Sequence, residues 1–216
     1  MIKELTTAYK LVRYGLRIKQ QTFFAILFAV LGIVFEILIG EETPLGAIYI
    51  ILSGMFLYQM ILTSDLSTLV QSSPYKKKIQ CLYPVVSLIP WLSVSMVIIT
   101  IIHWNFAKKS EEAYAQQANL MITLGLIMFI TLVYFGICYK FFIISTLVMA
   151  FSIMLPMGAF ARGGVFADNG LSFSQGTIIA CIMVVIGSVL CIILTNAFYR
   201  RDISKMALRN LMRNMK

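Results

Sequence analysis

The sequence contains a single histidine, five prolines and four cysteines in 216 residues, and only 12% of it is charged. One histidine, His103, cannot assemble a histidine-based metal cluster or proton relay within one chain. Its place beside Trp104, at the end of an apolar run, reads as a packed interfacial imidazole. Cys81, Cys138, Cys181 and Cys191 lie within or beside apolar runs and show no metal-ligand spacing, so they read as apolar filler. No Gly-x-x-x-x-Gly-Lys-Ser/Thr loop occurs, so the chain has no phosphate cradle of its own and any nucleotide must be handled by a partner. No metal and no cofactor is expected on this chain.

What the sequence does have is apolar bulk. Hydrophobic residues make up 60% and the mean hydropathy is +0.88, far outside the range of water-soluble domains. A helix needs about 20 largely apolar residues to cross a hydrocarbon core. Six segments qualify: Thr22 to Ile39, Pro44 to Thr63, Val85 to His103, Leu120 to Tyr139, Phe141 to Phe160 and Thr177 to Phe198. They are apolar on every face, which excludes the alternating strands of an outer-membrane barrel. The expectation is an all-α polytopic membrane protein. Residues 1–21 form a cytoplasmic amphipathic interfacial helix, 22–198 a six-helix transmembrane domain, and 199–216 a basic cytoplasmic tail. The first 21 residues carry five Lys or Arg, and the following apolar stretch has no small-residue cleavage pattern, so the first span is expected to stay in the mature protein.

Charge sets the orientation, because cationic loops stay on the cytoplasmic side. Fifteen Lys or Arg fall on one side of the six-span arrangement, including Lys3, Lys10, Arg13, Arg17, Lys19, Lys76, Lys77, Lys78, Lys140 and the tail cations. Only Lys108, Lys109 and Arg162 fall on the other, diluted by Glu41, Glu42, Glu111, Glu112 and Asp168. Both termini are therefore expected in the cytoplasm, with the protein in the plasma membrane. The net charge of +9 is spread over juxtamembrane positions that topology and anionic lipid explain, so nucleic acid is not an expected partner.

Ahead of the first span, Ile2, Leu5, Tyr9, Val12 and Leu16 recur at steps of three and four, with Lys3, Lys10 and Arg17 off that stripe. This is the pattern of a helix anchored in the plane of the interface, its partner the lipid bilayer. The central segment Ser64 to Pro84 is polar at its start and cationic in its middle. Ser64 or Asp65 suits a helix cap there, and Pro74 suits the first turn of a second helix. Trp104 to Asn119 reads as a solvated external face around Glu111 and Glu112. Ala161 to Gly176 is glycine-rich and aromatic, which suits a fold-back at the outer interface.

Chemistry-bearing residues are few. Glu36 is the one acid inside a span, about one turn from its outer end, where it can reach the headgroups. Span hydroxyls and amides such as Ser53, Gln59, Ser93, Thr123, Thr131 and Ser188 read as helix-packing contacts. No catalytic set is evident.

Taken in order, the elbow helix, two spans, basic loop, four further spans and basic tail resemble the membrane subunit of the ABC-2 type transporter family. Members often carry a Leu-Pro-x-Ser-Arg-Lys element after the second span. The matching stretch here is Ser72, Ser73, Pro74, Tyr75, Lys76, Lys77, Lys78 and Ile79, with Ser73 in place of the Leu and the Ser after the Pro absent, so the likeness rests on the Pro, the cations and their position. The resemblance implies that Ser73 to Ile79 is a coupling helix docked on a separate ATP-binding cassette ATPase, which holds ATP and Mg. It implies that the Ala161 to Gly176 segment, with Arg162, Gly163, Gly164, Phe166 and Gly170, helps close an outer gate. It also implies a pump built with a second copy of the chain or a homologous membrane subunit. The chain would be a transport subunit rather than an enzyme. Its short external loops are similar to exporters of amphipathic peptides, including those of phenol-soluble modulins. The alternatives are a six-helix substrate-binding component of an energy-coupling vitamin importer, a membrane-embedded lipid-modifying enzyme, and a non-catalytic immunity or scaffold protein.

Overall fold

The computed structural model describes residues 6–7, 10, 18–41, 43–64, 74, 76–109, 111–138, 140–160, 171–201 and 204. These residues fold as helices with no strand among them: α1 (Ile18–Ile39), α2 (Leu45–Ser64), a π-helical turn (Lys78–Leu82) continuing directly into α3 (Tyr83–Ala107), α4 (Glu111–Ile137), α5 (Phe142–Phe160) and α6 (Phe173–Phe198). Each of the six apolar segments of the sequence lies largely within one of these helices. Four helical runs are long and apolar enough to cross a membrane: Ile18–Ile39, Lys78–Ala107, Ala113–Ile137 and Phe173–Phe198. The described apolar stretches of α2 and α5 are shorter, Leu45–Met60 and Ile143–Met154. Large apolar side chains stand outward in rows, among them Phe23, Ile26, Val30 and Ile37 on α1 and Ile178, Ile182, Val185 and Val189 on α6. Water does not tolerate such continuous surface, whereas acyl chains do.

Helix α4 is the centre of the bundle. Leu120, Met121, Leu124, Met128 and Leu132 are fully buried along it. Its closest neighbour is α6, and small residues set that approach. A Cβ on Gly125 would stand 2.6 Å from Ala180 Cα, and one on Gly176 2.6 Å from the Ala118 carbonyl. Gly187 packs against Phe129 and Leu132, and Gly136 against Cys191 and Leu194. Contacts advance together along both chains, so α4 and α6 run parallel. The glycines of each helix are eleven residues apart, about three turns, which keeps them on one face. In an apolar solvent such backbone proximity replaces the hydrophobic effect as the force holding helices together.

A second unit is the α1–α2 hairpin. Phe24 stacks on Phe56 at 5.9 Å and Phe28 meets Phe56 at 5.3 Å, while Tyr49 packs against Phe28 and Phe35. Near the turn the backbones close up at Gly32, where a Cβ would meet the Gly46 carbonyl at 2.8 Å. Helix α3 and the π-turn before it join the two units. Trp91 Nε1 donates to Ser53 Oγ on α2 at 3.0 Å, and Cys81 Sγ donates to the Thr195 carbonyl on α6 at 3.6 Å.

The cations segregate by end. Lys140 Nζ donates to the Arg201 carbonyl at 2.5 Å, and Lys77 lies over the Tyr199 ring at 5.6 Å, so the α4–α5 turn, the start of the π-turn and the close of α6 meet at one basic end. Lys108, Lys109, Glu36 and Glu41 gather at the opposite end.

Gly125→Ala is expected to destabilise the protein by about 1–3 kcal/mol through overpacking against Ala180. Ile182→Ala, on an outward face, is expected to change little. Thermal unfolding of both variants in detergent measures the difference, and equal melting points would place the α4–α6 contact elsewhere.

Candidate functional site

The end of the bundle opposite the basic loop holds a chain of polar side chains that the apolar runs conceal. Glu36, His103 and Gln117 are each 0% exposed. They come from α1, α3 and α4. Glu36 therefore does not reach toward headgroups, and His103 is not an interfacial imidazole beside Trp104. Both turn inward and satisfy one another. The reach of a carboxylate from a helix end is a preference set by desolvation, and here buried partners outweigh it.

The geometry fixes most of the hydrogens. Gln117 Nε2 donates to the backbone carbonyl of Glu41 at 3.0 Å, and a carbonyl can only accept. The amide is thereby oriented so that its Oε1 faces His103 Nδ1 at 2.5 Å. That oxygen also only accepts, so Nδ1 carries the hydrogen. On the other side of the ring, His103 Nε2 lies 2.5 Å from Glu36 Oε1. One proton is shared along that contact, whether the pair is written as imidazolium and carboxylate or as imidazole and carboxylic acid. The second carboxyl oxygen, Oε2, accepts from the Ala47 backbone N–H at 2.5 Å.

Ala47 sits in the first turn of α2, where backbone N–H groups have no partner within their own helix. The positive end of the helix dipole faces the carboxyl group there. Glu36 thus caps the next helix from outside it. Glycine makes this approach possible: a Cβ on Gly46 would stand 2.6 Å from Glu36 Oε2 and 2.5 Å from the Gly32 carbonyl, and would also collide with the Glu36 backbone nitrogen. Gly40 closes α1 by donating its N–H to the Glu36 carbonyl at 3.0 Å.

An outer ring of charge surrounds this core. Lys109 Nζ pairs with the Glu41 carboxylate at the surface, and Lys109 and Lys108 lie over the rings of Phe106 and Trp104 at 4.9 Å and 5.1 Å. Exposed pairs of this kind add little stability. Glu36, His103 and Gln117 have hydrogen-bond partners from four helix ends, so the site ties α1, α2, α3 and α4 together. No group of three or more metal-ligating side chains occurs among the described residues. The arrangement can hold a proton and lock helix ends.

The residues singled out from the sequence divide unevenly. Pro74 is an exposed turn residue, Lys76 and Lys77 are helical, and Lys78 and Ile79 open the π-turn. Ser73 and Tyr75 lie outside the described residues, as do the anchor stripe Ile2, Leu5, Tyr9, Val12 and Leu16 and the gate residues Arg162, Gly163, Gly164, Phe166 and Gly170. Glu111 opens α4, so the stretch read as a solvated external face becomes a helix in which Gln117 is buried and Asn119 nearly so. One signal for the missed site was present. Gly32, Glu36 and Gly40 are spaced at four, placing an acid between two glycines on one helical face.

Removing one member of the pair strands the other in an apolar interior. Glu36→Leu and His103→Leu are each expected to cost about 3–5 kcal/mol, and the double variant no more than the worse single. Chemical unfolding of the three variants in micelles measures this. Small, additive losses would mean that the two groups do not interact.

No protein-family model, no curated protein and no solved structure matches this chain.

Proposed function

We propose that the chain is the membrane subunit of an ATP-driven exporter of the ABC-2 type, with six membrane spans, both termini in the cytoplasm and a plasma-membrane location. In this reading it forms a translocation path together with a second copy or a homologous subunit. A separate ATPase carries ATP and Mg and docks on Ser73 to Ile79. The cargo is an amphipathic peptide or a similar amphiphile.

The observation that carries the reading is the continuity of one helix. The run Lys78–Ala107 has 30 residues, about 45 Å at the helical rise, which matches a whole bilayer with its headgroups. The basic stretch stands at one end and His103 near the other. A push applied at Lys76 to Lys78 would travel along this rod and displace His103 relative to Glu36 and Gln117. The rod has two compliant points: the π-turn, where Tyr83 N–H donates to the Lys78 carbonyl, and Pro90 within α3, which offers no N–H to the Val86 carbonyl. The buried polar chain then acts as a latch for the outer end of the path. It holds α1, α3 and α4 together at rest and rearranges when the ATPase closes.

The vitamin-importer alternative calls for a ligand pocket on the outer side. The buried hydrogen-bonded chain of Glu36, His103 and Gln117 favours a latch at that end.

Replacing Lys76, Lys77 and Lys78 together by Glu is expected to cut co-purification of an ATP-binding cassette ATPase with the tagged chain at least ten-fold, with membrane insertion retained. An ATPase recovered equally with both forms, or none recovered with the native chain, would contradict the coupling.

A further inference from the structure

A groove opens on the flank of the bundle at its basic end, between the start of α3 and the end of α6. Its cavity volume is about 410 Å³, and its lining includes Lys77, Lys78, Val86, Ile89, Pro90 and Ile192. We propose that this groove binds one anionic phospholipid from the leaflet on the basic side, with the phosphate at Lys77 and Lys78 and an acyl chain along Val86, Ile89 and Ile192.

The charge pattern selects the occupant. Both lysines are exposed and stand at the mouth, and Lys77 lies over the Tyr199 ring, which holds that ammonium at the edge of the groove. Below them the walls are apolar, apart from the ends of Cys81 and Asn196. Asn196 Nδ2 gives one of its hydrogens to the Ile192 carbonyl at 2.9 Å, and Cys81 Sγ donates to the Thr195 carbonyl, so the lower groove offers few polar contacts to a polar cargo. The groove therefore fits a molecule that is anionic at one end and hydrocarbon at the other.

Length gives a second match. From Lys78 to Pro90 is about 18 Å along a helix, close to the roughly 15 Å half-thickness of a hydrocarbon core. A phosphate held by the lysines would thus sit at headgroup level, with its acyl chain reaching toward the midplane. Pro90 marks the floor, where the missing N–H loosens the helix. The site does not depend on the exporter reading, although an occupied groove would wedge α3 against α6 beside the stretch assigned to the ATPase.

The test uses the full chain in neutral detergent, observed by native mass spectrometry with palmitoyl-oleoyl phosphatidylglycerol or the phosphatidylcholine of the same chains. The native protein is expected to retain one phosphatidylglycerol about ten-fold better than phosphatidylcholine, since each juxtamembrane lysine favours anionic lipid. Lys77→Gln with Lys78→Gln should abolish the preference. Val86→Trp, which fills the groove below the lysines and leaves the docking cations intact, should abolish retention itself. Ile89→Phe serves the same purpose should Val86→Trp lower the melting temperature, and Lys19→Gln, a cation outside the groove, should leave binding unchanged. Equal retention of the two lipids would overturn the proposal. So would phosphatidylglycerol binding that survives both the lysine and the groove-filling variants, or a groove-filling variant that alters only the oligomeric state, which would assign the groove to a second copy of the chain.

Discussion

A carboxyl group withdrawn from water must recover its lost hydrogen bonds from the protein, or the fold gives up several kcal/mol. Glu36 recovers them from two directions at once, the Ala47 amide at the start of α2 and the His103 ring on α3. That requirement dictates much of its surroundings. Gly46 and Gly32 have to be glycine for the two backbones to close around the side chain. His103 has to turn inward, and Gln117 has to be held by the Glu41 carbonyl so that its oxygen meets the ring. A buried polar chain of this kind is costly when incomplete and specific when complete. Here it determines which helix ends meet.

The rest of the bundle is held by a different force. Parallel α4 and α6 meet through glycine and alanine contacts and a fully buried apolar row, with no charged side chain between them among the described residues. Helix α5 touches α4 but turns Ile143, Ile144, Leu147, Val148 and Phe151 outward. One region is thus bound by packing and another by a few strong polar contacts.

The apolar segments of the sequence anticipated the helices because length and continuous hydropathy are local properties. Val85 to His103 lies inside α3, and Thr177 to Phe198 inside α6. The grouping of Lys77, Lys140, Tyr199 and Arg201 at one end also follows from charge placed loop by loop. The buried polar chain was not legible in this way. Glu36, His103 and Gln117 are 67 and 14 positions apart in the chain, and each taken alone sits near a helix end, where an interfacial position satisfies it equally well. Only the crossing of α1, α3 and α4 decides between those environments. The π-turn was hidden for a similar reason: Lys78 to Leu82 reads as the end of a basic loop, yet its backbone continues α3.

Because the chain has one histidine, ring-labelled histidine gives a single imidazole signal, and nitrogen-15 magnetic resonance of the protein in bilayers reports on the buried polar chain directly. The expected spectrum has Nδ1 permanently protonated, correlated through space with the Gln117 side chain, and Nε2 sharing a proton with Glu36, with ring hydrogens slow to exchange with water. A ring that alternates between tautomers and exchanges freely with solvent would contradict the buried chain of hydrogen bonds on which this fold depends.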